Sequence, residues 1–246
     1  MKRSKKIILI TVPVVLIVGL LVGGLIFLSQ SYKPMEEALL ALESDTLVTI
    51  ENGKDWITFI PTNFTTETGF IFYPGGNVEP EAYALIARGI AEEGFFVSII
   101  KMPFDLAVFA PKKASKLMTN YSNITSWIIG GHSLGGSMAA KFVYDSPESF
   151  DGLVFLASYP AKSNDLSNYN ISALSLYGSL DGVLSTPIND TKSLLPSNAI
   201  YFEIQGGNHA YFGSYGEQKG DFQATISRSE QQQITIDEIT SFISAI

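Results

Sequence analysis

The sequence predicts an α/β protein built on a mostly parallel, doubly wound sheet, and three observations support this fold class. Short apolar runs alternate with helix-like stretches through most of the chain. Runs that are both short and continuously apolar are typical of strands buried on both faces. An antiparallel hairpin is predicted before them. The chain has 246 residues, enough for one such domain and a short additional segment.

The amino terminus holds much of the chain's apolar excess. Residues 7–28 form a run of 22 residues without a charge. As a helix, that run would span roughly 33 Å, which is long enough to cross a bilayer. A cleaved signal peptide is the alternative, because Ser29-Gln30-Ser31 keeps cleavage open. The chain has no cysteine, which excludes both lipid attachment to a cysteine and disulfides.

Charge flanking this run predicts its orientation. Four basic residues lie in a basic segment at 1–6, whereas only Lys33 follows the run closely. The positive-inside rule therefore places the amino terminus in the cytoplasm and the large domain outside a single-pass cell-membrane anchor. The chain beyond the anchor contains 12 of the 16 basic residues and all 24 acidic residues, so it is acidic. Nucleic acid is therefore not an expected partner.

The segment after the anchor divides into a connector and one domain. Residues 29–45 are predicted to be a stalk or a first packed element, with a short helix from Pro34 to Glu43. Residues 46–246 form the single domain. It opens with β-rich runs at Thr46–Ile50 and Trp56–Ile60 around Asn52-Gly53, a dipeptide that favours a tight hairpin.

The remaining elements follow from the alternation of apolar runs and helix-like stretches. Buried parallel strands are predicted at Phe70–Tyr73, Phe95–Ile100, Trp127–Ile129, Leu153–Leu156, Leu174–Tyr177 and Ile200–Ile204. Helices are predicted at Glu79–Glu92, Leu134–Tyr144 and Ile234–Ile246, with weaker patterns at Ala107–Asn120 and Thr186–Leu195. Ligands bind at the carboxyl ends of such strands, so the residues just after each run are where a site is expected.

Ser133 is the predicted nucleophile. It lies in Gly131-His132-Ser133-Leu134-Gly135, a Gly-x-Ser-x-Gly pattern between a predicted strand and a predicted helix. A nucleophile elbow turns so sharply that the positions two residues before and after must lack bulk, and glycine meets that need. The alternative is a glycine-rich turn that binds nothing.

A serine nucleophile needs a base, and the chain has two histidines. His132 adjoins Ser133, and neighbouring side chains at such a turn point in different directions, so a structural role is expected for it. His209 follows the last strand on a glycine-rich loop and is the predicted general base. A surface-loop histidine is the alternative.

Asp181 is the predicted acid that orients this base. It follows the Leu174–Tyr177 strand, and the order Ser, Asp, His along the chain matches one known arrangement of the triad. Asp165 and Asp190 are weaker rivals, and Asp181-Gly182 alone could be an ordinary turn.

Two backbone amides are predicted to stabilise an oxyanion. One is the N–H of Leu134, directly after the nucleophile, and the other is that of Gly76 in Pro74-Gly75-Gly76, with Asn77 in reserve. A plain turn is the alternative. Four aromatic residues near the site are left without a role: Phe104, Phe109, Tyr159 and Tyr211.

Together these segments resemble the α/β-hydrolase superfamily over roughly residues 68–246. Lys101-Met102-Pro103-Phe104 and Gly207-Asn208-His209-Ala210 are similar to stretches of a membrane-anchored group related to dienelactone hydrolases. The resemblance implies the α/β-hydrolase fold and hydrolase activity. The chain departs from dienelactone hydrolases in having serine in place of cysteine, and from many relatives in having Pro74 in place of histidine. A cap domain is not expected, because only Ala157 to Ser172 separate the two strands that usually flank one.

The predicted activity is therefore hydrolysis of an ester-like bond through an acyl-serine intermediate. The expected substrate is a small-molecule or surface-bound ester, with the membrane as the other partner and no obligate protein partner. No metal or organic cofactor is expected, since metal-ligand spacings and nucleotide-binding patterns are absent from the sequence. Acyl transfer to an alcohol and a surface binding protein without turnover are the alternatives.

Overall fold

Eight strands form one sheet in the computed structural model, which describes residues 31–63 and 67–246. The strands are β1 Val48–Asn52, β2 Trp56–Pro61, β3 Thr68–Tyr73, β4 Phe96–Ile100, β5 Ser126–His132, β6 Gly152–Leu156, β7 Ser172–Gly178 and β8 Ile200–Ile204. Their order across the sheet is β1-β2-β4-β3-β5-β6-β7-β8. The β1–β2 and β2–β4 pairs are antiparallel and the other pairs are parallel. The predicted parallel sheet with an antiparallel amino-terminal hairpin is therefore confirmed.

Six α-helices accompany the sheet within the described residues. They are α1 Glu36–Leu40, α2 Ala84–Glu92, α3 Ala114–Asn120, α4 Leu134–Asp145, α5 Ile188–Thr191 and α6 Arg228–Ser244. Short 3-10 turns at Pro80–Tyr83 and Lys192–Leu194 continue the helical segments predicted around α2 and α5.

The apolar side chains form a core on each face of the sheet. Phe70 and Phe72 of β3 pack on one face with residues of α2 and α6, whereas Ile71 and Tyr73 pack on the other with residues of α3 and α4. This alternation is the two-residue period of a strand, and both faces are apolar because helices cover both. The doubly wound arrangement is thereby confirmed.

Element boundaries differ from the sequence prediction where polar or proline residues intervene. The weak helix predicted over Ala107–Asn120 is a 3-10 turn at Ala107–Phe109 followed by α3, with Pro111 between them. The carboxyl-terminal helix begins earlier than predicted, because the Ser227 hydroxyl accepts a hydrogen bond from Glu230 N and caps it.

The amino-terminal part of the described chain packs on the domain. Tyr32–Ile246 forms one compact unit, and Ala38 of α1 is fully buried. The predicted basic segment 1–6 and the predicted anchor 7–28 lie outside the described residues. Within the described part of the chain, none of the helices combines the length and the apolar character that crossing a bilayer requires.

The connection between β6 and β7 is short. It contains a single 3-10 turn, at Lys162–Asn164, and has no strand or longer helix of its own. The described chain therefore has no cap domain at the place where the resemblance allowed one, as predicted.

Candidate active site

Ser133 occupies a strained turn between β5 and α4. Its φ and ψ angles are 52° and −122°, a conformation that residues with a side chain rarely adopt. Such a backbone costs on the order of 1–3 kcal/mol and persists where the surrounding structure imposes it. The turn places Ser133 immediately before the first residue of α4.

Close backbone packing explains the glycines around Ser133. A Cβ atom on Gly135 would lie 2.2 Å from the Tyr73 carbonyl oxygen and 2.3 Å from that of Pro74. A Cβ atom on Gly131 would lie 2.6 Å from the same Tyr73 oxygen. The Gly-x-Ser-x-Gly pattern is therefore a steric requirement of the contact between this turn and the end of β3.

Two hydrogen bonds from the β6 side hold the Ser133 backbone. Ser133 N donates to the Leu156 carbonyl over 2.9 Å, and the Ser158 hydroxyl donates to the Ser133 carbonyl over 2.6 Å. Ser158 is 3% exposed, and sequence reasoning missed it. The available signal was its position two residues after the end of β6, because the ends of the strands are the expected place for a site.

Asp181 and His209 meet through a buried hydrogen bond. His209 Nδ1 lies 2.8 Å from Asp181 Oδ2, and the two side chains are 1% and 4% exposed. Asp181 Oδ1 accepts hydrogen bonds from Val183 N at 2.8 Å and Leu184 N at 2.9 Å. The carboxylate is thus fixed by its own loop, with its second oxygen directed at the histidine.

His209 also borders a cavity that Ser133 lines. Among the described residues, His209 Nε2 is buried and has no hydrogen-bond partner. The cavity has a volume of about 240 Å³. Its lining consists of Ser133, Leu134, Ser137, Ala157, Ser158, Tyr159, Val183, Leu184, Ser185 and His209. The structure therefore brings all three predicted triad residues together, Asp181 through its bond to His209.

The rival acids lie elsewhere. Asp165 accepts a hydrogen bond from Ser167 N in its own loop at 2.9 Å, and this bond lowers the pKa of its carboxyl group. Asp190 is exposed on α5. Neither carboxylate is recorded in a contact with His209 within the described chain.

The backbone N–H groups after β3 differ in whether they already donate a hydrogen bond within the described chain. Gly75 N donates to the Tyr83 hydroxyl at 3.0 Å, and Asn77 N donates to the Asp105 carbonyl at 2.9 Å. Gly76 N has no recorded partner in the described part of the chain, and a Cβ atom on Gly76 would lie 3.1 Å from Leu134 Cδ2. The two predicted oxyanion donors, Gly76 and Leu134, are therefore neighbours, and Asn77 is less suited to the role because its N–H is engaged.

Asp221 joins the loops that carry the predicted acid and base, and sequence reasoning missed it. One carboxylate oxygen accepts from Gly182 N at 2.9 Å, and the other accepts from Ala210 N at 2.8 Å. Gly182 follows Asp181 and Ala210 follows His209, so one carboxylate links the two loops that carry the predicted acid and base. Asp221 lies in a polar loop whose sequence has no pattern that marks it.

Replacing Asp221 with asparagine is expected to lower stability and turnover together. The amide NH2 would face the N–H of Gly182 or Ala210, so two donors would meet. Loss of a hydrogen bond to a charged acceptor costs about 2 kcal/mol, which lowers the Tm of a chain of this size by roughly 4–8 °C. A displaced His209 loop would lower kcat by about ten- to hundredfold. Thermal unfolding and ester hydrolysis measure these effects, with Asp165→Asn as the matched control; equal values for both variants would contradict the role of Asp221.

His132 lies beneath the turn, as its expected structural role requires. Its Nδ1 is 2.8 Å from the Tyr83 hydroxyl, which itself accepts from Gly75 N. The bond joins a hydroxyl, which can donate or accept, to a ring nitrogen that does either according to the tautomer of His132. Its ring centroid is 4.5 Å from that of His209. Burial, and secondly the nearby His209, hold the pKa of His132 well below the usual value of 6.5.

The lowered pKa of His132 predicts that acid destabilises the fold. Below about pH 6.5 the unfolded chain binds a proton at this histidine and the folded chain does not. The free energy of unfolding therefore decreases as the pH is lowered. Between pH 7.5 and 5.5 the loss is about 1 kcal/mol. Unfolding curves over this range should therefore be less pH-dependent for His132→Asn, whose side-chain oxygen keeps an acceptor for Tyr83. Identical pH slopes would contradict the assignment.

In residues 31–63 and 67–246, no three His, Asp or Glu side chains are grouped so as to hold a metal ion.

A comparison with protein families identifies the chain. The sequence profile described as "Alpha/beta hydrolase family" matches residues 69–233, which is more than half of the protein. The chain belongs to the α/β-hydrolase family. The match includes Ser133, Asp181 and His209. No curated protein sequence matches this α/β hydrolase.

Solved structures share the fold of this α/β hydrolase at low sequence identity. A predicted CIB-like hydrolase from Thermoplasma acidophilum is 15% identical with a TM-score of 0.59, over 79% of this chain and 99% of the other. A structure from a study of the metagenome-derived lipolytic enzymes LipS and LipT is 12% identical with a TM-score of 0.60, over 80% and 100%. The carboxylesterase CesB (YbfK) from Bacillus subtilis is 9% identical with a TM-score of 0.60, over 90% and 98%.

Proposed function

We propose that this α/β hydrolase is a serine esterase that works through a Ser133-His209-Asp181 triad. One observation carries the proposal: His209 lines the same cavity as Ser133, its Nδ1 is held by Asp181, and its buried Nε2 has no hydrogen-bond partner among the described residues. An imidazole held in this way needs only a hydroxyl on its free nitrogen to act as a general base. Two of the proteins with the same fold are described as a lipolytic enzyme and a carboxylesterase, which supports an ester substrate.

The first half of the reaction forms an acyl-enzyme. With its Nδ1 proton donated to Asp181, His209 presents a lone pair on Nε2. Ser133 Oγ attacks the ester carbonyl carbon as its proton passes to this Nε2. The carbonyl oxygen becomes an oxyanion, which accepts hydrogen bonds from the N–H groups of Leu134 and Gly76. His209 then gives its proton to the departing alkoxide, and an alcohol leaves.

The second half of the reaction restores the enzyme. Water gives a proton to His209 Nε2 while its oxygen attacks the acyl carbon. The tetrahedral species collapses, Ser133 Oγ recovers the proton from His209, and a carboxylic acid leaves. Every proton in this cycle moves between substrate, water, Ser133 and His209, and Asp181 stabilises the imidazolium without taking part in proton transfer.

The proposed location of the enzyme is the cell membrane, with a cytoplasmic amino terminus and an extracytoplasmic domain. The support is the uncharged run at 7–28 with four basic residues before it. The kinship with the membrane-anchored, dienelactone-hydrolase-related group is part of the same proposal and rests on the shared motifs around Lys101 and His209.

Labelling with a serine-directed fluorophosphonate tests the proposed nucleophile. The folded full-length chain in mild detergent should bind one equivalent, and the modified peptide should contain Ser133. The Ser133→Ala variant should not be labelled, whereas Ser185→Ala, which alters another hydroxyl of the same cavity, should be labelled normally. Folded wild-type protein that resists the reagent would contradict the proposal.

A further inference from the structure

Three large apolar side chains are exposed together on the segment after β4. Phe104, Val108 and Phe109 are 56%, 51% and 57% exposed, and the two phenylalanine rings contact each other edge-on with centroids 5.8 Å apart. We call these three residues the apolar ridge. Single exposed apolar residues are ordinary, but a contiguous exposed group marks an interaction surface.

The backbone of the ridge is strained. Phe104 and the following Asp105 have φ angles of 55° and 53°, a left-handed conformation that is unfavourable for bulky residues. This backbone holds the Phe104 ring in solvent, where the isolated domain gains little from it. Strain combined with exposure points to a partner outside the domain.

The ridge adjoins the proposed oxyanion amides. The Asp105 carbonyl accepts the hydrogen bond from Asn77 N, and Leu106 Cδ2 lies 3.5 Å from the position of a Cβ atom on Gly76. Both contacts come from residues between Phe104 and Val108. The ridge therefore flanks the same edge of the molecule as the loop that carries Gly76.

The described chain also enters at this edge. Tyr32 N donates to the Asn77 carbonyl at 2.7 Å, Glu79 N donates to the Tyr32 carbonyl at 3.1 Å, and Lys33 pairs with Glu79. The predicted anchor ends at Leu28, four residues before Tyr32 in the sequence. Four residues span at most about 14 Å even when fully extended.

We propose that the apolar ridge contacts the outer surface of the bilayer and that the enzyme acts on an ester resident in that bilayer. The second clause rests on the proposed esterase function, whereas the membrane contact does not. Because the domain is acidic, the contact is apolar insertion into a zwitterionic surface and not attraction to anionic lipid. A cavity of about 240 Å³ accepts only a small part of such a substrate, so its remainder extends out of the cavity.

The absence of cysteine allows a direct test with single-site fluorophores. Full-length Val108→Cys, labelled with an environment-sensitive dye, is reconstituted into phosphatidylcholine vesicles. The control is Glu93→Cys. Glu93 is exposed in the turn before β4, at the amino end of that strand, whereas the ridge follows its carboxyl end. We expect a blue shift and quenching by lipid-borne quenchers at 108 and neither at 93.

Three outcomes would overturn the membrane contact. They are equal, water-like emission at both positions, failure of the full-length chain to float with the vesicles, and a change at 108 that grows with protein density, which would indicate a second copy of the chain. None of these readouts depends on Ser133, so they are independent of the proposed catalytic function.

A double variant tests the substrate class. Phe104→Ser with Phe109→Ser should lower turnover of a vesicle-resident ester by about tenfold or more, because insertion of two phenylalanines is lost. Hydrolysis of water-soluble p-nitrophenyl acetate should be unchanged. An equal fall for both substrates, or no change for either, would overturn the inference about the substrate. If wild type hydrolyses neither ester, the esterase proposal fails and the fluorescence result stands alone.

Discussion

Replacing Ser133 with alanine is expected to reduce kcat/KM for p-nitrophenyl acetate by at least about 10⁴-fold, the scale seen when a triad nucleophile is removed. The hydroxyl is the only group lost, and His209 and Asp181 stay hydrogen-bonded without an acceptor for the acyl group. Initial rates of the full-length chain in detergent measure the effect.

The control for this variant is another serine of the same cavity. Ser185 lines the cavity, and its hydroxyl lies 3.0 Å from that of Tyr159. Ser185→Ala should change kcat/KM by less than about tenfold, as expected for loss of a single uncharged hydrogen bond. The Tm of Ser133→Ala should match that of wild type, because alanine keeps the Cβ atom and its backbone strain. Equal rates for wild type and Ser133→Ala would favour the binding-protein alternative.

Asparagine at position 181 is expected to lower kcat by about 10⁴-fold. Val183 N and Leu184 N both donate to Asp181 Oδ1, so the asparagine oxygen takes that place and the NH2 group faces His209 Nδ1. A donor there forces the histidine proton onto Nε2, and the lone pair that should accept the Ser133 proton is lost. The shape of the site stays the same while the base is disabled.

Steady-state kinetics separate this effect from general damage. Asp190→Asn, at an exposed position of α5, should keep wild-type kcat. Fluorophosphonate labelling of Asp181→Asn should be slow but should still occur at Ser133. A loss of less than about tenfold in kcat would show that another group orients His209.

Local patterns were sufficient to predict the strands and the residues that the site brings together. Ser133 lies in a motif whose glycines are required because a backbone carbonyl packs closely against the turn. This need for glycine is visible in the sequence. Asp181 and His209 each follow an apolar run, and parallel strands bring those ends to one edge of the sheet. The motif and the strand ends together therefore predict the positions of all three residues.

The supporting residues could not be predicted in the same way. Asp221 and Tyr83 accept hydrogen bonds from backbone amides of other loops, and neither stands in a pattern that marks such a bond. The hairpin shows the same limit on a smaller scale. The turn was expected at Asn52-Gly53, but Asn52 is the last residue of β1 and pairs with Ile57, so the turn begins after it. These details depend on which segments meet, which local propensity does not specify.

The tight contact of Gly135 with the Tyr73 and Pro74 carbonyls has a consequence for how the enzyme matures. The turn at Ser133 can reach its strained shape only after β3 and β5 have paired, and this pairing joins segments far apart in the chain. His209 arrives later still during synthesis, after β8. A chain emerging during synthesis is therefore inactive until nearly all of it has been made, and the gain of activity reports completion of folding.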